Sequence, residues 1–448
     1  MNRSSLLVLF ILTTACVAPA EGTGAKRTAP AETSQIEAAA PAAAASQTTA
    51  TTAAGNSAAA ESRSYTPAPH LLREPVATSA EVITAMERGL GWLARHQSAD
   101  GSWNPASFDE HCVDGLTQCV AAGSEWSSAG ATALALLALQ GSGSTDHQGR
   151  YRENVKGGLK FLIENQKRSG AYANAQQFFG VPDHVLSTLA VLEAYVLTQK
   201  FSYKKSARRA LEHLATLQLP SGGFPSTHVT SEAPDLAASP WAPLVLLLPG
   251  ASPTALATLG QHDQVTSCWA LLTLLMAHEK HVSGTHEEAL TRLLGSVRVA
   301  SQGVYADWSL PTPQAEIGRA ATLMAMQWAD PYKTFEGAQS RHESALTSFA
   351  DLVYRFPEDT DWAMPRKPSL QQTGVFWYFA AHVFHQWKQS YPAESRLLAT
   401  QLSRGCTSGS WPPAPTDDWP ASGGAVASTA LAVLTLQVPQ HFLRVTAP

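Results

Sequence analysis

The chain lacks any feature that would commit it to a highly charged partner. Charged residues make up 15% of its 448 residues, and the formal net charge is −5. No stripe of Lys and Arg runs along it, so nucleic acid is not expected as a partner. It has no nucleophile elbow and no Gly-rich phosphate cradle. Cysteine is scarce, with five copies at Cys16, Cys112, Cys119, Cys268 and Cys406. Only Cys112 and Cys119 lie close enough in sequence to suggest a bridge closing a small loop in an oxidising compartment. The alternative for that pair is a metal site joined by His111 and Asp114. Cys268 sits in an apolar helical stretch and reads as a small core residue, and Cys406 reads as free.

The amino terminus has a short apolar run and no long one. Arg3 gives a positive start, Leu6 to Leu12 follow, and small residues Thr13, Thr14 and Ala15 come next. That run is too short to span a bilayer, so it reads as an export signal. Thr13-Thr14-Ala15-Cys16 resembles a bacterial lipobox, although Leu12 stands one position too early. On that reading residues 1–16 are the signal and Cys16 is lipidated. Ala18-Pro19-Ala20 offers ordinary cleavage after Ala20 instead. Residues 17–70 are mostly Ala, Thr, Ser, Pro and Glu, too poor in large apolar residues to offset their ordering entropy, and are expected to be a disordered tether. The expected location is outside the cytoplasm, as an outer-membrane or periplasmic lipoprotein anchored through Cys16, or as a secreted protein.

What residues 71–448 do have is Trp and a repeat. Gly89 to Gln97 reads as an amphipathic helix, followed by Asp100-Gly101-Ser102-Trp103. Related segments end at Gln166 before Gly170-Ala171-Tyr172, at Gln218 before Gly222-Gly223-Phe224, and at Gln401 before Gly409-Ser410-Trp411. Degraded copies span Leu290 to Tyr305 and Ala345 to Trp362. Apolar residues recur at three and four in these segments, and the following Gly suits a left-handed helix cap. Between them lie segments that are apolar nearly all round: Thr132 to Leu139, His184 to Tyr195, Val265 to Ala277, Ile317 to Trp328, Thr373 to Phe384 and Val426 to Leu436. A helix apolar on every face is buried on every face. Six such pairs are expected to form an all-α fold, an α/α toroid of two concentric rings. An open superhelix is the alternative, but a closed ring needs no capping repeats.

The helix–Gln–Gly-Ser-Trp pattern resembles the repeats of squalene–hopene cyclases and of prenyltransferase β-subunits. The closing run Gly423 to Leu436 is similar to bacterial proteins with prenyltransferase/squalene-oxidase repeats. The resemblance implies a toroid in which Trp92, Gln97, Trp103, Gln166, Gln218, Gln401 and Trp411 clamp neighbouring repeats and perform no chemistry. It also implies where an acid would be sought. The cyclases protonate substrate with a D-x-D-D motif, and the nearest match is Asp359-Thr360-Asp361-Trp362, whose last Asp is replaced by Trp. A prenyltransferase zinc site would need an Asp, Cys and His set that His262, Asp263 and Cys268 do not reproduce. No metal and no cofactor is expected.

Polar groups precede several of the apolar helices: Trp126, Asp183, His184, His262, Asp263, Glu316, Arg319 and Gln371. If those helices run in one sense, the groups converge on one mouth of the ring. They serve there either as helix caps or as a binding mouth, with His184 and His262 as acid/base candidates. The Pro-rich stretch around Trp241 to Pro249 reads as a lid, an apolar patch or packing over the ring end. The expected function is a non-catalytic exported module that binds an apolar ligand, a glycan or a protein in or at the rim of the central cavity. The alternatives are a divergent terpenoid cyclase using Asp361, with Asp359 beside it, and a toroidal carbohydrate-active enzyme using carboxylates at the mouth.

Overall fold

A computed structural model describes residues 80–112, 122–123, 128–173, 180–226, 263–306 apart from 283 and 285, 313–329, 339–354, 374–387, 398, 408–413 and 418–440. The chain divides into two units, Met1–Ser64 and Tyr65–Pro448, and every described residue lies in the second. Its regular structure among the described residues is entirely helical. Eleven α-helices are described: α1 (Ala80–Arg95), α2 (Ser128–Gly141), α3 (Arg152–Asn165), α4 (Gly180–Thr198), α5 (Phe201–Thr216), α6 (Gln264–Glu279), α7 (His286–Ala306), α8 (Pro313–Ala329), α9 (Gln339–Tyr354), α10 (Gly374–Gln386) and α11 (Asp418–Gln437). None of them is long and apolar enough to cross a membrane.

The helices are of two kinds, as the apolar patterning requires. On α1, Val82, Ala85, Leu90, Trp92 and Leu93 are buried while charged residues face water. On α2 every residue from Gly130 to Gly141 is buried, and on α4 every residue from Gly180 to Tyr195. Burying each Leu or Val of this kind contributes roughly 1.5–3 kcal/mol.

The wholly buried helices form the inner ring. They pack in cyclic order, α2 on α4, α4 on α6, α6 on α8, α8 on α10, α10 on α11, and α11 back on α2. This is an α/α toroid, closed on itself and not an open superhelix. Hydrogen bonds mark three steps of the circuit. Gln140 Nε2 of α2 donates to the Ala190 carbonyl of α4 at 3.2 Å. Gln327 Nε2 of α8 donates to Val383 of α10 at 3.1 Å, and Gln437 Nε2 at the end of α11 donates to Ala138 of α2 at 2.9 Å. The last of these bonds spans 299 residues of sequence.

The outer helices are tied by the repeat glutamines. Gln97 Nε2 donates to the Gly101 carbonyl of its own turn at 2.8 Å and to Asn154 of α3 at 2.9 Å. Gln166 reaches Gly170 and, on α5, Ser206. Gln218 reaches Gly222 and, on α7, Ala289. Gln401 lies outside the described residues. The glycines of these turns were expected as helix caps, and here the structure corrects the sequence. Gly101, Gly170, Gly222 and Gly409 have positive φ, but they sit in the turn beyond the Gln, with their Cα edge against the backbone of the next outer helix. Gly409 sits this way on Arg88 of α1, which closes the outer circuit. The left-handed residues that end helices belong to the inner ring instead: Gly143 after α2, Gln199 after α4 and His281 after α6.

Candidate functional site

The turn aromatics connect the two rings. Trp103 donates its backbone N–H to Thr132 Oγ1 of α2 at 3.0 Å, and its indole N–H to Leu93 at 2.7 Å. Phe224 N–H meets Ser267 Oγ of α6 at 2.9 Å, and Trp411 N–H meets Thr429 Oγ1 of α11 at 2.9 Å. Each partner is a small hydroxyl residue of an inner helix, near the start of α2 and α6 and one turn beyond the kink at Gly424 in α11. In the second repeat, Thr188 is the residue that would match Thr132 in the pattern. Its hydroxyl turns back to the His184 carbonyl, and His184 Nδ1 accepts the Tyr172 N–H at 3.2 Å.

His184 is therefore held at both nitrogens. Its Nε2 donates to the Ala210 carbonyl of α5 at 3.1 Å, and the ring is fully buried. Burial and the neighbouring His213 lower its pKa to about 3, so the ring is neutral at physiological pH. With one nitrogen accepting from backbone and the other donating to it, the ring joins α4, the turn aromatic and α5.

Asp183, one residue earlier, is 2% exposed. Its carboxyl lies against Gly130 at the start of α2, where any side chain at that position would overlap Oδ1. Its Oδ2 has no hydrogen-bond partner. Burial raises its pKa well above the ordinary carboxyl range. On the far side of α4, Gln264 at the start of α6 packs on Gly318 of α8. Starts of inner helices therefore meet starts, so these helices run in one sense and their first turns share one end of the ring. Asp263 caps α6, accepting from Val265 N–H at 3.0 Å and from the Thr266 hydroxyl.

Arg319 is half-buried on α8. Glu316 belongs to the same helix, but its side chain is outside the described set. Trp126, His262, Gln371, Asp359, Asp361 and the Trp241–Pro249 segment lie outside the described residues. The partners expected for Cys112, Cys119 in a bridge or Asp114 in a metal site, lie outside the described residues. The Cys112 thiol stands 3.6 Å from His96 Nε2, whose Nδ1 donates to Trp92 at 2.8 Å.

Sequence reading missed an aromatic cluster in the inner ring. Trp269 of α6 stacks on Tyr378 of α10 with centroids 4.7 Å apart, and His382 stands edge-on between Tyr378 and Trp328 of α8. The Tyr378 hydroxyl is buried without a hydrogen-bond partner. The signal was present in Phe376-Trp377-Tyr378-Phe379, which was read only as part of a buried helix.

Residues 74–186 match the family model of the squalene-hopene cyclase C-terminal domain, which bears out the repeat resemblance over that stretch. A GH76A α-1,6-mannanase from Salegentibacter sp. HEL1_6 shares the fold at 11% identity and a TM-score of 0.50, with 81% of this chain and 99% of that chain covered. A type II terpene cyclase from Scytonema, in complex with geranylgeranyl dihydroxybenzoate, is 15% identical with a TM-score of 0.47, covering 81% of this chain and 98% of that one. The apo form of the Scytonema cyclase gives 15% identity and a TM-score of 0.48, covering 80% and 97%. No curated protein matches the chain.

Proposed function

We propose that this chain is an exported toroidal module, tethered through Cys16 and a residue 17–70 linker, that binds an apolar ligand at the inner ring without transforming it. The observation that carries this reading is the state of the Asp183–His184 pair. Asp183 is buried with its carboxyl against Gly130, and both nitrogens of His184 are taken by backbone. Asp263 is likewise occupied as a cap. Asp263 and His184 hold the frame, and the buried stack of Trp269 on Tyr378 makes this part of the inner ring apolar and aromatic.

Native purification of the full chain followed by mass spectrometry of what accompanies it tests this. The expected result is a stoichiometric apolar small molecule, with the chain in the membrane fraction and released from it by Cys16→Ser. A ligand-free chain that converts an isoprenoid polyene, or that cleaves α-1,6-mannan, would contradict it.

One observation favours a second reading. A cyclase acid must be protonated before substrate arrives, and burial raises the pKa of the Asp183 carboxyl well above its ordinary range. If the chain is an isoprenoid-protonating enzyme, Asp183→Asn abolishes turnover and leaves the fold intact. With no turnover in the parent chain, this second reading falls.

A further inference from the structure

We propose that His278, His286 and Glu287 bind a divalent transition-metal cation of the Zn²⁺ kind across the α6–α7 hairpin. One ligating atom from each of the three lies within 4.8 Å of the others. Ligands held at about 2.0–2.1 Å around a tetrahedral Zn²⁺ stand roughly 3.4 Å apart. The three groups therefore need only a side-chain adjustment to close on an ion. Two imidazoles and one carboxylate form a donor set suited to Zn²⁺ and not to Mg²⁺ or Ca²⁺, which prefer all-oxygen cages. Three protein ligands leave a fourth position for water.

The placement makes the cluster more than a chance of surface composition. His278 lies in the last turn of α6, and His286 and Glu287 open α7. The chain leaving α6 is anchored. Val282 is fully buried, its N–H bonds the Ala277 carbonyl at 3.0 Å, and His281 N–H bonds the His278 carbonyl at 3.1 Å with a φ of 50. The His278 arm of the site is thus fixed by a backbone turn that a bound ion would not have to order. His286 is 2% exposed, and its Nδ1 is buried with no hydrogen-bond partner. A buried ring nitrogen left unsatisfied is costly, so it persists where something else offsets that cost. His278 and Glu287 are exposed, which gives an ion an entry path. The ion would tie an inner helix to an outer one at the hairpin following the long segment before α6.

The test uses the untagged full chain after chelator treatment and dialysis. Titration calorimetry with Zn²⁺ alone, and then with Mg²⁺ and Ca²⁺ alone, reads affinity and stoichiometry. We expect one Zn²⁺ per chain at micromolar affinity or tighter, no comparable Mg²⁺ or Ca²⁺ binding, and a thermal midpoint that rises with Zn²⁺. His278→Ala and Glu287→Gln change exposed side chains, so the fold should survive; each should weaken Zn²⁺ binding tenfold or more and remove the midpoint rise. Circular dichroism checks the fold of each variant. No saturable Zn²⁺ binding overturns the proposal. So does Zn²⁺ binding that both variants leave unchanged, which would place the ion elsewhere, such as at His96 and Cys112.

Discussion

His184 shows how one residue can resemble an acid/base group in sequence and serve the frame in space. Its folded pKa is depressed to about 3 from an ordinary 6.5, chiefly by burial. A depressed histidine stabilises the fold above its unfolded pKa and loses that contribution as pH falls. Between about pH 6.5 and pH 3, unfolding free energy should therefore drop with a slope approaching 1.4 kcal/mol per pH unit from this site. His184→Gln should flatten that slope in denaturant titrations run across the range. Asp183 works in the opposite sense, because its folded pKa is raised. Its contribution is full below the ordinary carboxyl pKa and fades as pH rises, so Asp183→Asn should equal or exceed the parent in stability at pH 8. The sequence placed both residues at the start of an inner helix. It gave no hint that the Tyr172 N–H would choose His184 over Thr188, because that choice is made by a side chain one turn away in space.

The repeat glutamines act between elements. Gln166 donates to Gly170 and Ser206 and accepts from the Ser206 hydroxyl at 2.8 Å. Gln166→Ala leaves those groups unsatisfied between α3 and α5 and should cost roughly 2 kcal/mol, measured by chemical denaturation. The glycines give a paired prediction. Gly170 and Gly143 both have positive φ, but a methyl on Gly170 would drive into the Arg209 carbonyl, whereas one on Gly143 meets nothing within 4 Å. Gly143→Ala should cost about 1 kcal/mol of backbone strain, and Gly170→Ala clearly more. Gln, Gly and aromatic were legible together because the motif is local. The inner-ring clamps Gln140, Gln327 and Gln437 were not, since a single Gln at the end of an apolar helix carries no sign of its acceptor. His278, His286 and Glu287 stand close in sequence, but nothing in the sequence shows that one ligating atom from each comes within 4.8 Å of the others.

For the whole molecule, two kinds of helix in alternation settled the architecture. The apolar pattern of α2, α4, α6, α8, α10 and α11 predicted the inner ring, and those are the helices that pack in a circle. The pattern could not by itself distinguish a ring from a superhelix, since every internal repeat looks the same in both. That distinction rests on the last repeat meeting the first, through Gln437 on Ala138, Gly409 on Arg88, and Arg95 Nη2 on the Ser408 carbonyl at 3.4 Å. Closure also makes the stability of every repeat depend on both neighbours. Removing residues 408–448 should leave α1 and α2 uncovered and broaden or abolish the cooperative thermal transition, as scanning calorimetry would show.

Closure itself is most directly tested by cross-linking. Arg95 and Ser408 are both exposed and lie 313 residues apart in sequence. Arg95→Cys and Ser408→Cys, placed together in a chain whose Cys112, Cys119 and Cys406 are serine, are treated with a short bis-maleimide, and the linked peptides are identified by mass spectrometry. A closed toroid predicts a high yield of the link within one chain, independent of protein concentration. A link that forms only between chains, or not at all, would mean the ends do not meet and the ring is open.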